Sequence, residues 1–262
     1  MIAEKIGFIG SGRVSYLLLS GLQNNGALPP KVLLSDPEGD ALKRVTQIAP
    51  HIIQAVSPNN LTTTADIIFL AVHPTVLEEV ATEIKEHLST EAILVSLLPT
   101  ITISRLSQVF NGFRRIVRMI PNAPSIIGKG YNPISFSPFL KETERQALIA
   151  LFENWGKCPE VTEDELEAYA ILTGMGPTYF WFQFSEMLQL ARQFGLKEPH
   201  AKEAIAEMLH GAVDTLFYSG LAREQVFDLI PSHPLKKHED EIRKLLNERL
   251  TKLYGKLREA TS

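Results

Sequence analysis

The sequence predicts an α/β domain with a doubly wound, mostly parallel sheet, followed by an all-helical domain. Short apolar runs rich in β-branched residues alternate with helical spacing in the first part of the chain, as in parallel βαβ units. The run IIFLAV at residues 67–72 is apolar throughout, as expected for a strand that is covered on both faces. Beyond Thr162, no segment has the pattern of a strand.

The predicted elements follow one another in a regular order. We expect strands at residues 5–9, 31–35, 52–55, 67–72, 92–97, 115–119 and 134–136. We expect helices at residues 14–23, 38–48, 77–87, 103–110 and 141–155. Three further helical stretches follow, at residues 163–194 (broken at 174–177), 200–218 and 234–257. This change of rhythm predicts two domains, residues 1–160 and residues 161–262.

Composition and charge exclude several classes of protein. The formal net charge is −4 and the pI is near 6.0, so no broad basic surface is available to attract nucleic acid. No apolar run approaches the roughly 20 residues that span a bilayer. Glu4 and Lys5 precede the first apolar run, unlike the start of a signal peptide. We therefore expect a soluble, cytoplasmic protein that binds neither nucleic acid, membrane nor metal.

The single cysteine, Cys158, excludes an internal disulfide and fits a reducing compartment. Its thiol is either reactive or structural, and its position between Gly156 and Pro159 favours a structural role.

The stretch IGFIGSGRV has the form of a dinucleotide-binding loop. Gly10 ends the predicted strand and permits a tight turn, and Gly12 lets backbone N–H groups approach a pyrophosphate at the positive end of the helix. The third position of the fingerprint needs only a small side chain, and Ser15 is small enough. The competing interpretation is a glycine turn without a ligand. The position of the loop between strand and helix favours dinucleotide binding.

Two charged residues near this loop bear on the choice of cofactor. Asp36 ends the second predicted strand, where a carboxylate accepts hydrogen bonds from the adenosine ribose and favours NAD over NADP. The alternative is an Asp-Pro turn in which Asp36 bonds its own backbone. Arg13 either pairs with the pyrophosphate, compensates the 2′-phosphate of NADP, or is a surface arginine. The sequence leaves the alternatives for Asp36 and for Arg13 open.

Three further positions are candidates for chemistry. His73 follows the buried fourth strand, where it either contacts the cofactor, donates a proton or is a structural hydrogen-bonding group. Asn122, in the loop MIPNAPSIIGKG, is placed to fix a carboxamide or a substrate group. The break TGMGPTY, residues 173–179, destabilises a helix by roughly 1 kcal/mol per glycine and more for proline. We interpret it as a close backbone approach or as free backbone groups used for binding, rather than as a plain interhelical turn.

Several motifs, in this order, resemble the pyrroline-5-carboxylate reductase family. GFIGSGRV resembles that family's GFIGxGNM loop, and FLAVHP resembles its FLAVKP. VRMIPNAPSIIGKG is similar to VRxMPNTPxxxGxG, and TGMGPTYFWFQFSEML is similar to SGSGPAYxFxxxEAL. The resemblance implies a Rossmann domain followed by a helical dimerisation domain, with the active site between them. It also implies hydride transfer from NAD or NADP in reduced form to a cyclic imine carboxylate.

The resemblance also implies positions for the cofactor. Residues matching the family's loops would contact it, namely Gly10, Ser11, Gly12, Arg13, Val14, Ala71, Val72, His73 and Pro74. Asn59 would lie near the adenosine ribose and Asn122 near the nicotinamide.

The substrate half of the chain departs from the family pattern. The family's VTSPGGTT stretch, which holds the substrate carboxylate, is replaced by FDLIPSHPLKKHED at residues 227–240. Met175 stands at a serine position of the SGSG motif, and His73 at the lysine of AVKP. Ser232 and His233 lie at the place of the lost loop.

We therefore predict an NAD(P)-dependent oxidoreductase acting on a small imine, amine or carbonyl substrate. The catalytic candidates are Thr173, Tyr179 and His233, with His73 as a further proton donor. The alternative is a dinucleotide-binding protein without turnover, with a redox-sensing or regulatory role. The apolar faces of the last helices predict a homodimer or a higher homo-oligomer.

Overall fold

A seven-stranded sheet forms the centre of the computed structural model, which describes residues 4–261. The strands of this sheet are β1 Lys5–Ile9, β2 Lys31–Ser35, β3 Ile53–Ala55, β4 Ile67–Leu70, β5 Ile93–Ser96, β6 Ile116–Met119 and β8 Ile134–Phe136. Their order is β3-β2-β1-β4-β5-β6-β8. All neighbours are parallel except β8, which runs antiparallel to β6. The chain therefore reverses its direction of winding between β1 and β4, where such sheets bind ligands.

Helices cover both faces of the sheet. The helices of this part are α1 Arg13–Asn24, α2 Gly39–Thr46, α3 Leu77–Ile84, α4 Ile103–Val109 and α5 Glu142–Phe152. One core holds side chains of α1 and α5, and Phe69 in it stacks on Phe8 with ring centroids 4.4 Å apart. The other core holds side chains of α3 and α4. Because both faces are covered, β4 and β5 are buried along their whole lengths.

The predicted fold class is confirmed, and the structure adds elements that periodicity does not reveal. β7 Gly130–Tyr131 and β9 Gly156–Lys157 form a separate two-stranded sheet. Two-residue strands are too short to show an alternating pattern. In the long helical stretch, α6 Leu166–Tyr169 continues as the π-helical segment Ala170–Gly174. The predicted break follows it, because Met175 and Gly176 are not helical and the next helix begins at Pro177.

The chain divides into two compact units. The sheet unit comprises the residues up to Met175 together with those from Leu253 onward, and the helical unit comprises Gly176–Lys252. The predicted domain boundary at residue 160 stays a prediction. The remaining helices are α7 Pro177–Gln193, α8 Glu198–Tyr218, α9 Arg223–Asp228 and α10 Glu239–Thr261. Among the described residues, no helix combines the length and the apolar character that crossing a membrane requires.

The helical unit buries very little apolar surface. Its only buried apolar side chains are the small ones of Ala191 and Ala201. Large apolar side chains are exposed on α7 and α8, among them Phe180, Trp181, Phe182, Phe217 and Tyr218. Exposed large apolar side chains in such number are typical of an interaction face.

Candidate cofactor site and catalytic residues

The turn after β1 requires glycine at residue 10. Gly10 has a φ of +100°, and a Cβ on it would lie 2.5 Å from the carbonyl oxygen of Ala71. The Gly10 N–H donates to the carbonyl oxygen of Ser35 across a distance of 2.8 Å. The ends of β1, β2 and β4 are thereby drawn together at the switch point of the sheet.

Helix α1 begins with unsatisfied backbone N–H groups. Gly12 is its N-cap, without a side-chain cap, and the first turn contains no acidic residue. A Cβ on Gly12 would meet no atom within 4 Å, so the space in front of the helix is open. Arg13, the first helical residue, is exposed. This helix end therefore offers N–H groups and a positive dipole to an anion such as a pyrophosphate.

Two serines complete the turn. The buried Ser15 hydroxyl donates to the carbonyl oxygen of Gly10 across 2.5 Å, which fits the small third position expected of a dinucleotide fingerprint. The Ser11 hydroxyl is buried and has no hydrogen-bond partner among the described residues. A buried unpaired hydroxyl is costly, so its presence beside an open helix terminus fits a loop shaped for a polar ligand. These residues fit a dinucleotide.

A cavity of about 300 Å³ lies at the carboxyl ends of β1, β2 and β4. Its lining residues are Ile9, Gly10, Ser35, Asp36, Pro37, Val56, Ser57, Pro58, Asn59, Val72, Val76, Glu79, Val80 and Glu83. The cavity thus brings together four predicted cofactor contacts from distant parts of the sequence, Gly10, Asp36, Asn59 and Val72.

The Asp36 carboxylate is anchored at the rim of this cavity. Its Oδ2 accepts the Ser11 N–H at 2.6 Å, and its Oδ1 accepts the Glu38 N–H at 2.8 Å. The second bond is the local turn that the sequence offers as an alternative to ribose binding. The carboxylate also lines the cavity, so the turn holds it in place without removing it from the site.

Asn59 is held by Glu83, which also lines the cavity. Its N–H donates to Glu83 Oε1 at 2.8 Å and its side-chain Nδ2 donates to Glu83 Oε2 at 2.6 Å. Glu83 and Glu79 lie one turn apart on α3 and both line the cavity. Neither glutamate is among the residues predicted from the sequence. Their i, i+4 spacing was the available signal, because such residues share a helix face.

The AVHP turn forms the other side of the site. Val72 lines the cavity, whereas His73 is exposed. The Nδ1 atom of His73 lies 2.9 Å from Thr75 Oγ1 and caps the short helical turn Pro74–Val76. These contacts match the structural hydrogen-bonding role considered for His73.

Asn122 joins the loop after β6 to the π-helical segment. Its Oδ1 accepts the Tyr131 N–H at 3.0 Å and its Nδ2 donates to the carbonyl oxygen of Thr173 at 3.2 Å. The structure therefore brings Asn122 and Thr173 together. The Thr173 hydroxyl donates to the carbonyl oxygen of Tyr169 at 2.9 Å. A Cβ on Gly174 would make only ordinary contacts, the nearest with Ile120 at 3.4 Å, so no close approach requires this glycine.

The other catalytic candidates, Tyr179 and His233, lie in the helical unit. Burial raises the pKa of the Tyr179 hydroxyl. His233 is exposed, and its Nε2 lies 2.6 Å from the carbonyl oxygen of Ile230, to which it donates. The three catalytic candidates are therefore divided between the two units.

A buried ion cluster anchors the segment that carries Thr173. Arg118 on β6 is 1% exposed and donates to Glu163 at 2.9 Å and to Glu167 at 2.8 Å. Glu163 also accepts the N–H of Ile103 at 2.6 Å. None of these three charged residues is among those predicted from the sequence. The cluster could have been suspected from Arg118, the arginine inside the otherwise apolar strand IVRM, because a buried arginine needs a charged partner.

Cys158 is a buried, free cysteine. Burial raises the pKa of its thiol to about 11, so the reactive thiolate is scarce near neutral pH. This environment supports the structural interpretation of the residue.

In sequence, the chain is similar to known oxidoreductases. A family model described as "NADP oxidoreductase coenzyme F420-dependent" matches residues 5–100. Pyrroline-5-carboxylate reductase 2 of Bacillus subtilis is 28% identical over 228 residues, covering 85% of this chain and 80% of that protein. Pyrroline-5-carboxylate reductase of Escherichia coli is 25% identical over 218 residues, covering 83% and 81%.

Solved structures show the same fold. Plasmodium falciparum pyrroline carboxylate reductase, with NADP bound, has a TM-score of 0.82 at 20% identity and covers 100% of both chains. Pyrroline-5-carboxylate reductase of Coxiella burnetii has a TM-score of 0.76 at 22% identity, again over 100% of both chains. The resemblance found in the sequence motifs is confirmed.

Proposed function

Because this chain is a pyrroline-5-carboxylate reductase-like protein and an NAD(P)-dependent oxidoreductase, we propose that it transfers hydride from the reduced nicotinamide to a small cyclic imine. The first substrate to test is 1-pyrroline-5-carboxylate, after which the relatives are named. The observation that carries the proposal is the start of α1, which follows the carboxyl end of β1. It has no side-chain cap, and the space beside Gly12 is free of other atoms.

In this proposal the sheet unit binds and orients the cofactor. The N–H groups at the start of α1 hold the pyrophosphate, with Ser11 and Arg13 beside them. Asp36 and Asn59 face the adenosine ribose from the cavity walls. The AVHP turn supports the middle of the cofactor, and Asn122 lies towards the nicotinamide. The bound dinucleotide supplies the hydride, and the protein supplies position and a proton.

The proton goes to the substrate nitrogen as the carbon accepts hydride. Thr173, Tyr179 and His233 are the residues that we propose for this step. The Tyr179 hydroxyl carries a proton to donate, and burial raises its pKa, which makes it a weaker acid than an exposed tyrosine.

The test of this function uses two charge substitutions in matched surroundings. Gly12→Glu places a carboxylate where the pyrophosphate would bind, while leaving the backbone unhindered because a Cβ there meets nothing within 4 Å. Gly39→Glu is the control, because Gly39 also begins a helix and its Cβ also meets nothing within 4 Å. We expect wild type and Gly39→Glu to bind reduced cofactor and to oxidise it with the imine, and Gly12→Glu to lose both.

The panel of substrates decides between turnover and the alternative. It contains 1-pyrroline-5-carboxylate, other cyclic imines and 2-oxo acids. Cofactor binding that Gly12→Glu abolishes, without turnover of any member of the panel, would favour a non-catalytic dinucleotide-binding protein. The replacement of the family's carboxylate-binding stretch at residues 227–240 is the observation behind that alternative.

We also propose that the partner of the chain is a second copy of itself and that it works in the cytoplasm. The helical unit supports the first point, because it exposes large apolar side chains and, of its apolar side chains, buries only those of Ala191 and Ala201. C2 symmetry, the commonest arrangement, would cover the same face on both copies. The buried free thiol of Cys158 suits a reducing compartment.

A further inference from the structure

The cavity beside the dinucleotide loop is acidic. Asp36 at the end of β2 and Glu79 and Glu83 on α3 line it, and its lining includes no lysine, arginine or histidine among the described residues. Carboxylates of this kind carry negative charge at neutral pH. The cavity therefore presents three negative charges and no cation to whatever enters it.

Two of these carboxylates are held in place by hydrogen bonds. Asp36 accepts backbone N–H groups from both Ser11 and Glu38, and Glu83 accepts two N–H groups from Asn59. A carboxylate fixed in this way cannot swing aside at low cost when a ligand arrives. Glu79 makes no hydrogen bond or ion pair in the described part of the chain and lies one turn before Glu83.

In the proposed binding mode, these charges lie near the adenosine ribose of the cofactor. With the pyrophosphate at the start of α1, the adenosine ribose reaches the end of β2, where Asp36 stands. A ribose offers hydroxyl donors to a carboxylate. A 2′-phosphate offers no donor and brings a charge of roughly −1.5 to −2 at pH 7. An NADP site instead needs a cation near the 2′ position, commonly an arginine.

We infer that Asp36, together with Glu79 and Glu83, makes this protein selective for NADH over NADPH. The inference rests on the proposed function, because it assumes that the adenosine half of a nicotinamide dinucleotide occupies the cavity. Asp36 bonds the ribose hydroxyls and repels the 2′-phosphate, and the two glutamates add to the repulsion from the facing helix.

The first measurement compares dissociation constants of NADH and NADPH by calorimetry, at low and at physiological salt. We expect wild type to bind NADH at least about tenfold more tightly, with the ratio shrinking as salt screens the charges. AMP and adenosine 2′,5′-bisphosphate serve as probes that need only the adenosine half. Their dissociation constants should show the same preference.

Three substitutions locate the source of the selectivity. Asp36→Ser removes the ribose-facing charge and should lower the ratio several-fold, chiefly by improving NADPH binding. Because Asp36 also holds the Ser11 N–H, Glu79→Gln is the second variant, since it removes a cavity charge without disturbing a hydrogen bond. Glu78→Gln is the matched control on the same helix, because Glu78 pairs with Arg105 and does not line the cavity.

The outcomes separate this inference from the proposed function. Equal affinities, tighter NADPH binding, or an NADH-to-NADPH ratio that neither Asp36→Ser nor Glu79→Gln changes would overturn the selectivity and leave the function standing. Failure of both dinucleotides and both nucleotide probes to bind would overturn the function and the selectivity together.

Discussion

The sheet unit and the helical unit use apolar residues in opposite ways. In the sheet unit, strands such as β4 and β5 are buried along their length, and two cores fill the space between sheet and helices. In the helical unit, α7 and α8 expose Phe182 and Phe217, and the only buried apolar side chains of Gly176–Lys252 are those of two alanines. The difference teaches that apolar periodicity identifies a face to be covered, but does not say whether the same chain covers it.

The largest effect should come from breaking the ion cluster of the sheet unit. Arg118→Ala leaves Glu167, which is 1% exposed, without its partner, and such a buried uncompensated charge destabilises by about 3–5 kcal/mol. Urea denaturation followed by circular dichroism gives the free energy of unfolding. The comparison variant is Arg192→Ala in the helical unit.

Arg192 pairs with Glu198, and about half of each side chain is exposed. We expect Arg192→Ala to change the free energy of unfolding far less than Arg118→Ala, because solvent screens exposed pairs. If Arg118→Ala and Arg192→Ala lowered the free energy of unfolding equally, the contrast between a buried ion pair in the sheet unit and an exposed one in the helical unit would be contradicted.

A smaller effect is expected at the exposed face of the helical unit. Phe182→Asp places a charge on α7 at a position that is 69% exposed in the single chain. If a second copy buries this phenylalanine, the substitution weakens association by at least the ~1.5–3 kcal/mol that burial of such a side chain contributes. Light scattering after size-exclusion chromatography should show wild type as a dimer or larger and the variant shifted towards monomer.

Phe139→Asp is the control from the sheet unit. Phe139 is also exposed, and the guanidinium of Arg114 lies over its ring. We expect this variant to keep the wild-type mass in solution. A wild-type protein that is monomeric at micromolar concentration would refute the homo-oligomer.

The smallest effect concerns the pH dependence of stability through Cys158. Burial raises the pKa of its thiol from a reference of 9.0 to about 11, so the folded state resists losing the proton. Its contribution is complete below pH 9 and is lost as the pH rises through the folded pKa. At pH 10, which is one unit above the unfolded pKa and one unit below the folded pKa, the free energy of unfolding is lower by about 1.4 kcal/mol.

The measurement subtracts two denaturation series, wild type and Cys158→Ala, at pH 7 to 10. Subtraction removes the contribution of other groups that titrate in this range. Between pH 7 and pH 10, the unfolding free energy of wild type should fall relative to that of Cys158→Ala by about 1.4 kcal/mol. A difference that stays constant with pH would show that burial does not raise the pKa of the thiol.

The sequence predicted the sheet and the dinucleotide turn because both depend on local signals. Buried parallel strands are continuous apolar runs, and a glycine at a left-handed turn is visible at once in GFIGSG. The sequence did not decide whether Asp36 bonds the adenosine ribose or its own backbone in a turn, because one carboxylate can do both. The structure shows the turn, and the ribose contact stays a prediction.

Other parts of the site depend on residues that are far apart in the chain. Glu83 meets Asn59, Asn122 meets Thr173, and Arg118 meets Glu167. Residues at such separations show no periodic relation in a single sequence, so these pairs could not be predicted. The two-residue strands β7 and β9 were missed for a related reason, because their pairing depends on distant backbone rather than on pattern.

By itself, the sequence determined the fold class, the glycine turn at α1 and the apolar faces of the last helices. Each is a local property of backbone conformation or of side-chain spacing. Only the tertiary structure decided which charges share the cavity, which atoms Asn122 and Asp36 bond, and that the helical unit leaves its apolar faces uncovered. Those features depend on the distances between elements, and these distances are set by packing of the whole chain rather than by any one segment.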